Sequence, residues 1–106
     1  MDIKYAFIGW CHDPDKNHDK VWGAIELKRE YASKHVYFVD YLTFWGRRGK
    51  KLQTQTANLA VWEFQNLLRS KEKKGYKQIN VKDLNKVYPE FQDDLEKTMV
   101  WSLLTN

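Results

Sequence analysis

The fold is organised around a short stretch in the middle of the chain, Phe44-Trp45-Gly46-Arg47-Arg48-Gly49-Lys50-Lys51. Glycine adopts backbone conformations that a side chain would forbid, so the two glycines of this stretch predict a hairpin turn over Trp45–Lys51. A tryptophan face is a stacking surface, and Arg and Lys neutralise phosphate. The turn is therefore a candidate binding surface. A solvated hairpin turn anchored by one tryptophan is the alternative interpretation.

Alternating and aromatic-rich runs on both sides of this turn predict the strands of a small antiparallel sheet. In the second strand, Val21, Gly23, Ile25 and Leu27 share one face, and Gly23 predicts a bulge. In the third strand, both the odd-numbered and the even-numbered residues are mostly apolar, which predicts a strand covered on both faces. The predicted strands are Lys4–Trp10, Val21–Arg29, His35–Phe44, Leu52–Thr56 and Tyr76–Val81.

A helix is predicted over Ala57–Lys73, with Thr56 as its N-cap and Gly75 as the residue that follows its C-terminal end. Trp62 lies off the apolar stripe of this helix, so we expect another segment or a partner to cover it. The stripe comprises Ala57, Ala60, Val61, Phe64, Leu67, Leu68 and Lys71.

A second helix is predicted to begin at Pro89, a favourable first helical residue that acidic residues follow. Its apolar stripe predicts docking on the rest of the chain, over Trp62, or else an oligomer or partner surface. The stripe comprises Phe91, Leu95, Met99 and Leu103, widened by Val100, Trp101 and Leu104. The predicted fold class is α+β: a small antiparallel sheet with one helix packed across it and a C-terminal helix. Residues 1–81 form the predicted domain and 82–106 its helical extension.

Charge is distributed unevenly along the 106 residues, whose net charge is +4. Residues 45–82 carry ten Lys or Arg against two acids, a net charge of +8, whereas residues 88–106 carry four acids against one Lys, or −3. A concentrated basic segment favours a polyanionic partner, nucleic acid first. A lysine-rich solvated surface is the alternative, and it is favoured for the run from Lys71 to Lys74 considered alone.

The composition also bounds the cellular setting. No apolar run approaches the ~18 residues that span a membrane, so no membrane partner is expected. No charged start followed by an apolar run is present, so we expect no secretory signal. The lone Cys11 cannot form an internal disulfide and fits a reducing compartment. The predicted localisation is cytoplasmic.

The polar loop at residues 11–20 contains the one metal-like pattern of the sequence. Asp13, Asp15, Asn17 and Asp19 have the spacing of the first four ligand positions of a calcium loop. The pattern then fails, because His18 stands where that loop requires Gly, and Ala24 where it requires Glu. Cys11, His12 and His18 also lack the paired spacing typical of zinc sites. A solvated hairpin loop is therefore predicted, and no metal or other cofactor is expected.

The sequence resembles the WGR domain family, named for Trp-Gly-Arg, here Trp45-Gly46-Arg47. The likeness extends over roughly residues 4–80, through a Gln/Thr-containing return strand and a helix with characteristic spacing. Its other matching residues are Asn17, Trp22, Gly49, Ala60, Phe64, Leu67, Lys71, Gly75 and Tyr76. The family usually has Ile or Val where this chain has Arg48.

This resemblance implies a small antiparallel sheet crossed by a helix, and a role in binding DNA. WGR domains occur in poly(ADP-ribose) polymerases, where they bind strand breaks, in bacterial regulators and as free-standing small proteins. The family's motif Trp and Arg correspond to Trp45 and Arg47. The polymerases' catalytic domain is absent from this sequence, so their enzymatic activity does not carry over.

Three hypotheses about function follow. The first is a nucleic-acid-binding module that binds DNA ends, nicks or single strands with low sequence specificity, with RNA as a second candidate ligand. Its predicted site is Trp45, Arg47, Arg48, Lys50, Lys51, Lys71 and Lys74. The second is a small regulator or inhibitor that docks on a larger nucleic-acid enzyme through Trp62 and the C-terminal helix. The third is an enzyme or metalloprotein built on His12 and His18. No set of nucleophile, base and orienting residue is visible, so enzymatic activity is not expected.

Overall fold

The computed structural model describes residues 3–27, 38–47, 50–81 and 95–105. These residues form a five-stranded antiparallel sheet with the strand order β4-β3-β2-β1-β5, one helix packed against it and a short C-terminal helix. The predicted α+β architecture is therefore confirmed at this level. The strands are β1 (Ile3–Asp13), β2 (His18–Leu27), β3 (Phe38–Arg47), β4 (Gln53–Ala60) and β5 (Lys77–Gln78); the helices are α1 (Val61–Lys73) and α2 (Leu95–Thr105).

Helix α1 covers one face of the sheet, called the α1 face below. Its buried residue Phe64 lies against Tyr41 of β3, with the ring centroids 5.1 Å apart. Alternate residues of each strand project to the same face. The α1 face therefore collects Phe7 from β1 and Trp22 from β2, which also contact each other.

The opposite face, called the α2 face, is covered by the C-terminal helix. Val100 and Leu104 are buried there together with Val21 and Phe44 of the central strands. Because both faces of the sheet are covered, β3 has apolar residues at odd and even positions alike. This confirms the prediction of a strand covered on both faces. The expectation that the C-terminal helix covers Trp62 is wrong, because Trp62 belongs to α1 on the other side of the sheet and is 65% exposed.

The C-terminal helix docks on the sheet through part of its predicted apolar stripe, with Trp101 and Leu103 packed against the core around Val100 and Leu104. Its described core residues are Val100 and Leu104, whereas Met99, which the predicted stripe places at its centre, is 42% exposed. The packing against the sheet selects the face, since the helix is apolar around much of its circumference. The predicted helix start at Pro89 lies outside the described residues. Within the described ranges, neither helix has the length and apolar character needed to cross a membrane.

The first helix begins later than predicted. Ala57 to Ala60 continue β4 and pair with Tyr41 to Phe38 of β3, so α1 begins at Val61. Thr56 is consequently a strand residue opposite Leu42 and not an N-cap. The ladder bonds to β3 and the packing of Ala57 and Leu59 on the α1 face outweigh a local preference for helix.

The central hairpin is also longer than predicted, because Trp45, Gly46 and Arg47 belong to β3 and pair with β2. The predicted turn over Trp45–Lys51 is thus wrong at its first three residues, which form ladder bonds on the neighbouring strand. The predicted bulge at Gly23 is wrong as well, since its pairing with Phe44 lies in a continuous register.

The end of α1 is the feature that brings the helix and the sheet together at the candidate site. Gly75 has a φ of +103°, the left-handed conformation predicted for the residue after the helix. The N–H of Gly75 donates to the carbonyl of Glu72 at 3.0 Å, and that of Tyr76 donates to the carbonyl of Lys71 at 3.1 Å. This Schellman motif turns the chain back so that Tyr76 is buried on the α1 face.

Candidate functional site

A cleft opens on the α1 face between the last turns of α1 and the strands β2, β3 and β4. Its volume is about 350 Å³, near the lower end of the range for small-ligand sites. We call it the aromatic cleft, because four aromatic side chains line it together with polar groups. Its lining includes Trp22, Tyr41, Trp45, Gln55, Lys71 and Tyr76.

Strand register places the two tryptophans of the cleft side by side. Trp22 of β2 and Trp45 of β3 are directly paired, so both side chains project to the α1 face. Trp22 is 6% exposed, while Trp45 is half-buried at the border of the same core cluster. Trp45 thus presents the more accessible indole, and Trp22 lies deeper beneath the helix.

Lys71 contributes the charge of the cleft. Its Nζ atom lies 5.0 Å from the ring centroid of Trp22 and 6.0 Å from that of Tyr76. Lys20 of β2 approaches the Tyr76 ring at 5.8 Å. Amines at these distances from aromatic faces are within the range of cation–π attraction. The same rings therefore hold two lysines at the cleft.

The electrostatic environment of Lys71 is unfavourable to its own charge. Partial burial lowers the pKa of Lys71, and the nearby cations Lys74 and Lys20 lower it further. We call these three residues the lysine cluster. Charge repulsion within it would be relieved by an anion placed among the three amines. Burial likewise raises the pKa of Tyr76, so this phenol stays neutral at physiological pH.

The two hairpins of the sheet are joined at the end where the predicted turn lies. Arg47 Nη2 donates a hydrogen bond to Asn17 Oδ1 at 2.6 Å, which links β3 to the loop between β1 and β2. Asn17 has a φ of 57°, a left-handed conformation that asparagine tolerates better than most residues. The N–H of Lys50 donates to the carbonyl of Arg47 at 3.0 Å and closes the hairpin.

The structure divides the predicted site residues into two groups. Trp45 and Lys71 line the aromatic cleft, and Lys74 is close enough to Lys71 to shift its pKa. Arg47, Lys50 and Lys51 are exposed at the hairpin end. The remaining predicted residue, Arg48, lies outside the described residues. Trp45 is thus a half-buried strand residue in the cleft wall, not a ring at the tip of a turn.

Four residues at the cleft are absent from the predicted site: Trp22, Tyr41 and Tyr76, which line it, and Lys20, which approaches the Tyr76 ring. The alternation of β2 contains the signal for two of them, because Val21, Gly23 and Ile25 face the opposite side and leave Lys20 and Trp22 together. Tyr76 could not be found in this way, since the turn after α1 decides where its ring lies.

The loop with the calcium-like spacing is a hairpin connection. Pro14–Lys16 form one turn of 3-10 helix between β1 and β2. Trp10 Nε1 donates to Asp19 Oδ1 at 2.9 Å, and the Trp10 ring stacks on His12 with centroids 4.7 Å apart. Among the described residues, no group of three or more His, Cys, Asp or Glu side chains is arranged to hold a metal ion.

No family model, curated protein or solved structure matches this chain. The likeness to the WGR family therefore stays a prediction based on Trp45-Gly46-Arg47 and the residues around it. The aromatic cleft, the lysine cluster and the exposed cations of the hairpin end are the features of this protein that a ligand could recognise.

Proposed function

We propose that this protein is a nucleic-acid-binding module that binds DNA with low sequence specificity through the aromatic cleft and the cations around it. The observation that carries the proposal is the position of the Lys71 amine over the Trp22 ring, in a cleft whose outer wall is Trp45. Aromatic rings at the base of a cationic groove are the features that bind bases and phosphates without reading sequence.

The charges support a polyanionic ligand over a neutral one. Lys71 is flanked by two further cations, and these lower its pKa because like charges crowd together. Arg47, Lys50 and Lys51 add exposed positive charge at the adjacent hairpin end. A phosphate backbone that passes the cleft would neutralise several of these groups and release bound counterions.

The resemblance to WGR domains supports the same assignment from a separate direction. It nominates Trp45 and Arg47, and these residues lie two positions apart on β3 with the same parity. Membership of the WGR family and DNA as the natural nucleic acid are parts of the proposal, with RNA as the competing ligand in the same assay.

The decisive experiment is a salt titration of binding to blunt, nicked, gapped and single-stranded DNA, and to single-stranded RNA, by fluorescence anisotropy. If Arg47, Lys50, Lys51, Lys71 and Lys74 each neutralise one phosphate, log Kobs against log salt has a slope of about −3.5 on single strands. A slope near zero, or no binding at low salt, would contradict the proposal.

A matched pair of tryptophan variants locates the site. Trp45→Leu retains apolar bulk in the cleft wall but removes the stacking surface, so we expect about tenfold weaker binding. Trp62→Leu changes a tryptophan that is 65% exposed on α1 and is absent from the cleft lining, so we expect binding within about twofold of the parent. Equal losses in both variants would show that the site is wrongly assigned.

A protein-interaction role is the second candidate, and exposed Trp62 is the observation that favours it. The C-terminal helix gives a protein-interaction role less support, because Val100 and Leu104 of that helix are buried against the sheet. A stable complex with a larger protein that tolerates Trp45→Leu and is lost with Trp62→Leu would favour this role over nucleic-acid binding.

A further inference from the structure

We infer that the aromatic cleft selects an unpaired nucleotide: it admits one unstacked base and places the adjoining phosphate beside the lysine cluster. This inference rests on the proposed function and names its substrate class, which is single-stranded or gapped nucleic acid and not intact duplex.

The aromatic rings of the cleft are deeply placed. Trp22 and Tyr41 are each 6% exposed and Tyr76 is 8% exposed, so a ligand reaches them by entering the cleft. In a duplex, each base is paired at its edge and covered on both faces by its neighbours. A base must leave the stack before it enters such a pocket, and an unpaired base does so at the lowest energetic cost.

The volume of the cleft matches a single nucleotide. A volume of about 350 Å³ suits one nucleotide-sized ligand and is too small for a row of stacked bases. The cleft is open to solvent, so a strand can pass along it while one of its bases is inside. The half-buried Trp45 forms part of the wall along this entrance.

Few polar groups in the cleft are placed to bind the edge of a base. Gln55 of β4 offers an amide donor and acceptor, which can adjust to the edge of more than one base. Thr43 Oγ1 already donates its proton to the carbonyl of Gly23 at 3.0 Å and is left as an acceptor. With so few edge contacts, the cleft selects for an exposed base and discriminates weakly among base types.

The lysine cluster lies beside the cleft, where the phosphate of a bound nucleotide would be. Lys71 lines the cleft, and Lys20 and Lys74 stand close enough to lower its pKa. A base stacked in the cleft carries its phosphate within reach of these amines. The anion would stabilise the charged form of Lys71 and offset the repulsion among the three cations.

The test compares two DNA probes that differ only in the presence of one base. Both are duplexes with a one-nucleotide gap; the template residue opposite the gap is either thymine or a tetrahydrofuran abasic residue, so the phosphates and charge are identical. We expect the thymine probe to bind about tenfold more tightly, because the stacked base is present. Binding of the two probes within twofold would overturn the inference, while strong salt dependence would leave the proposed function intact.

A protein-side comparison uses two lysines of the last turn of α1. Lys71→Gln should weaken binding to the thymine-gapped probe by about tenfold and change binding to blunt duplex little, because Lys71 faces the nucleotide in the cleft. Lys73→Gln removes the same charge from an exposed residue that is absent from the cleft lining, and should weaken both probes equally and by no more than Lys71→Gln weakens the blunt duplex. If Lys71→Gln behaves like Lys73→Gln, the phosphate assignment is wrong. Failure to bind any probe at low salt would remove both proposals.

Discussion

Substitution of Gly23 by alanine is the most direct test of the sheet that positions the cleft. A Cβ atom built on Gly23 would lie 2.8 Å from Phe44 Cε2 and closer still to the Cζ and Cε1 atoms of that ring. The ring cannot swing into solvent, since Phe44 is 0% exposed and belongs to the core beneath α2. The methyl group therefore forces Phe44 or the β2–β3 pairing to move.

The magnitude follows from two opposing effects. Overpacking of a filled core costs about 1–3 kcal/mol, and this contact lies at the upper end because several ring atoms are involved. Replacement of glycine by alanine lowers the conformational entropy of the unfolded chain, which stabilises the folded protein by about 0.4–1 kcal/mol. We expect Gly23→Ala to lower the free energy of unfolding by about 2 kcal/mol, or Tm by about 10 °C.

The assay is urea and thermal unfolding of the parent, Gly23→Ala, Phe44→Leu and the double variant. Phe44→Leu alone should cost about 1–2 kcal/mol because it removes buried ring atoms. In the double variant the added methyl group occupies the space that the ring vacated, so it should be no less stable than Phe44→Leu. A stability of Gly23→Ala within 0.5 kcal/mol of the parent, or additive effects in the double variant, would refute the reasoning.

Three further predictions concern the residues around the site. Asn17→Ala should be about 1 kcal/mol less stable than Asn17→Gly in urea unfolding, because both lose the hydrogen bond from Arg47 but only alanine is strained at a φ of 57°. Nitrogen-detected NMR titration should show Lys71 losing its proton at a lower pH than exposed lysines. Added salt should raise the pKa of Lys71, because it screens the neighbouring cations. The pKa should still stay below 10.5, because burial is the larger cause of its depression. Since the folded-state pKa is depressed, the parent should gain stability relative to Lys71→Gln as pH rises through that pKa, and a loss would contradict the assigned sign. Trp62→Gln should leave the free energy of unfolding within about 0.5 kcal/mol of the parent, and a larger loss would show that the ring packs against the fold.

Much of the architecture can be read from local patterns. The alternation in β2 correctly predicts that Val21, Ile25 and Leu27 face one side, and all three contribute to the α2-face core or its border. The apolar residues at odd and even positions of β3 correctly predict a strand that is covered on both faces. Gly75 correctly predicts the end of α1, because a left-handed residue after a helix favours glycine.

The boundaries that failed are those where long-range pairing competes with local preference. Ala57 to Ala60 have residues compatible with a helix, yet they continue β4 because β3 provides ladder partners for them. Trp45 to Arg47 carry glycine-rich turn chemistry, yet they extend β3 along β2. A hydrogen-bonding partner from elsewhere in the chain is invisible to a pattern that considers neighbours alone.

The chemical groups of the candidate site were evident in the sequence: an indole at Trp45 and a concentration of cations from Arg47 to Lys74. Their arrangement was decided by the tertiary structure. Strand register set Trp22 beside Trp45, helix α1 placed the Lys71 amine over the Trp22 ring, and the turn at Gly75 brought Tyr76 to the same cleft. Composition and periodicity determine which residues form strands, helices and core faces; a cleft forms where separate elements meet, so its lining depends on packing between residues that are distant along the chain.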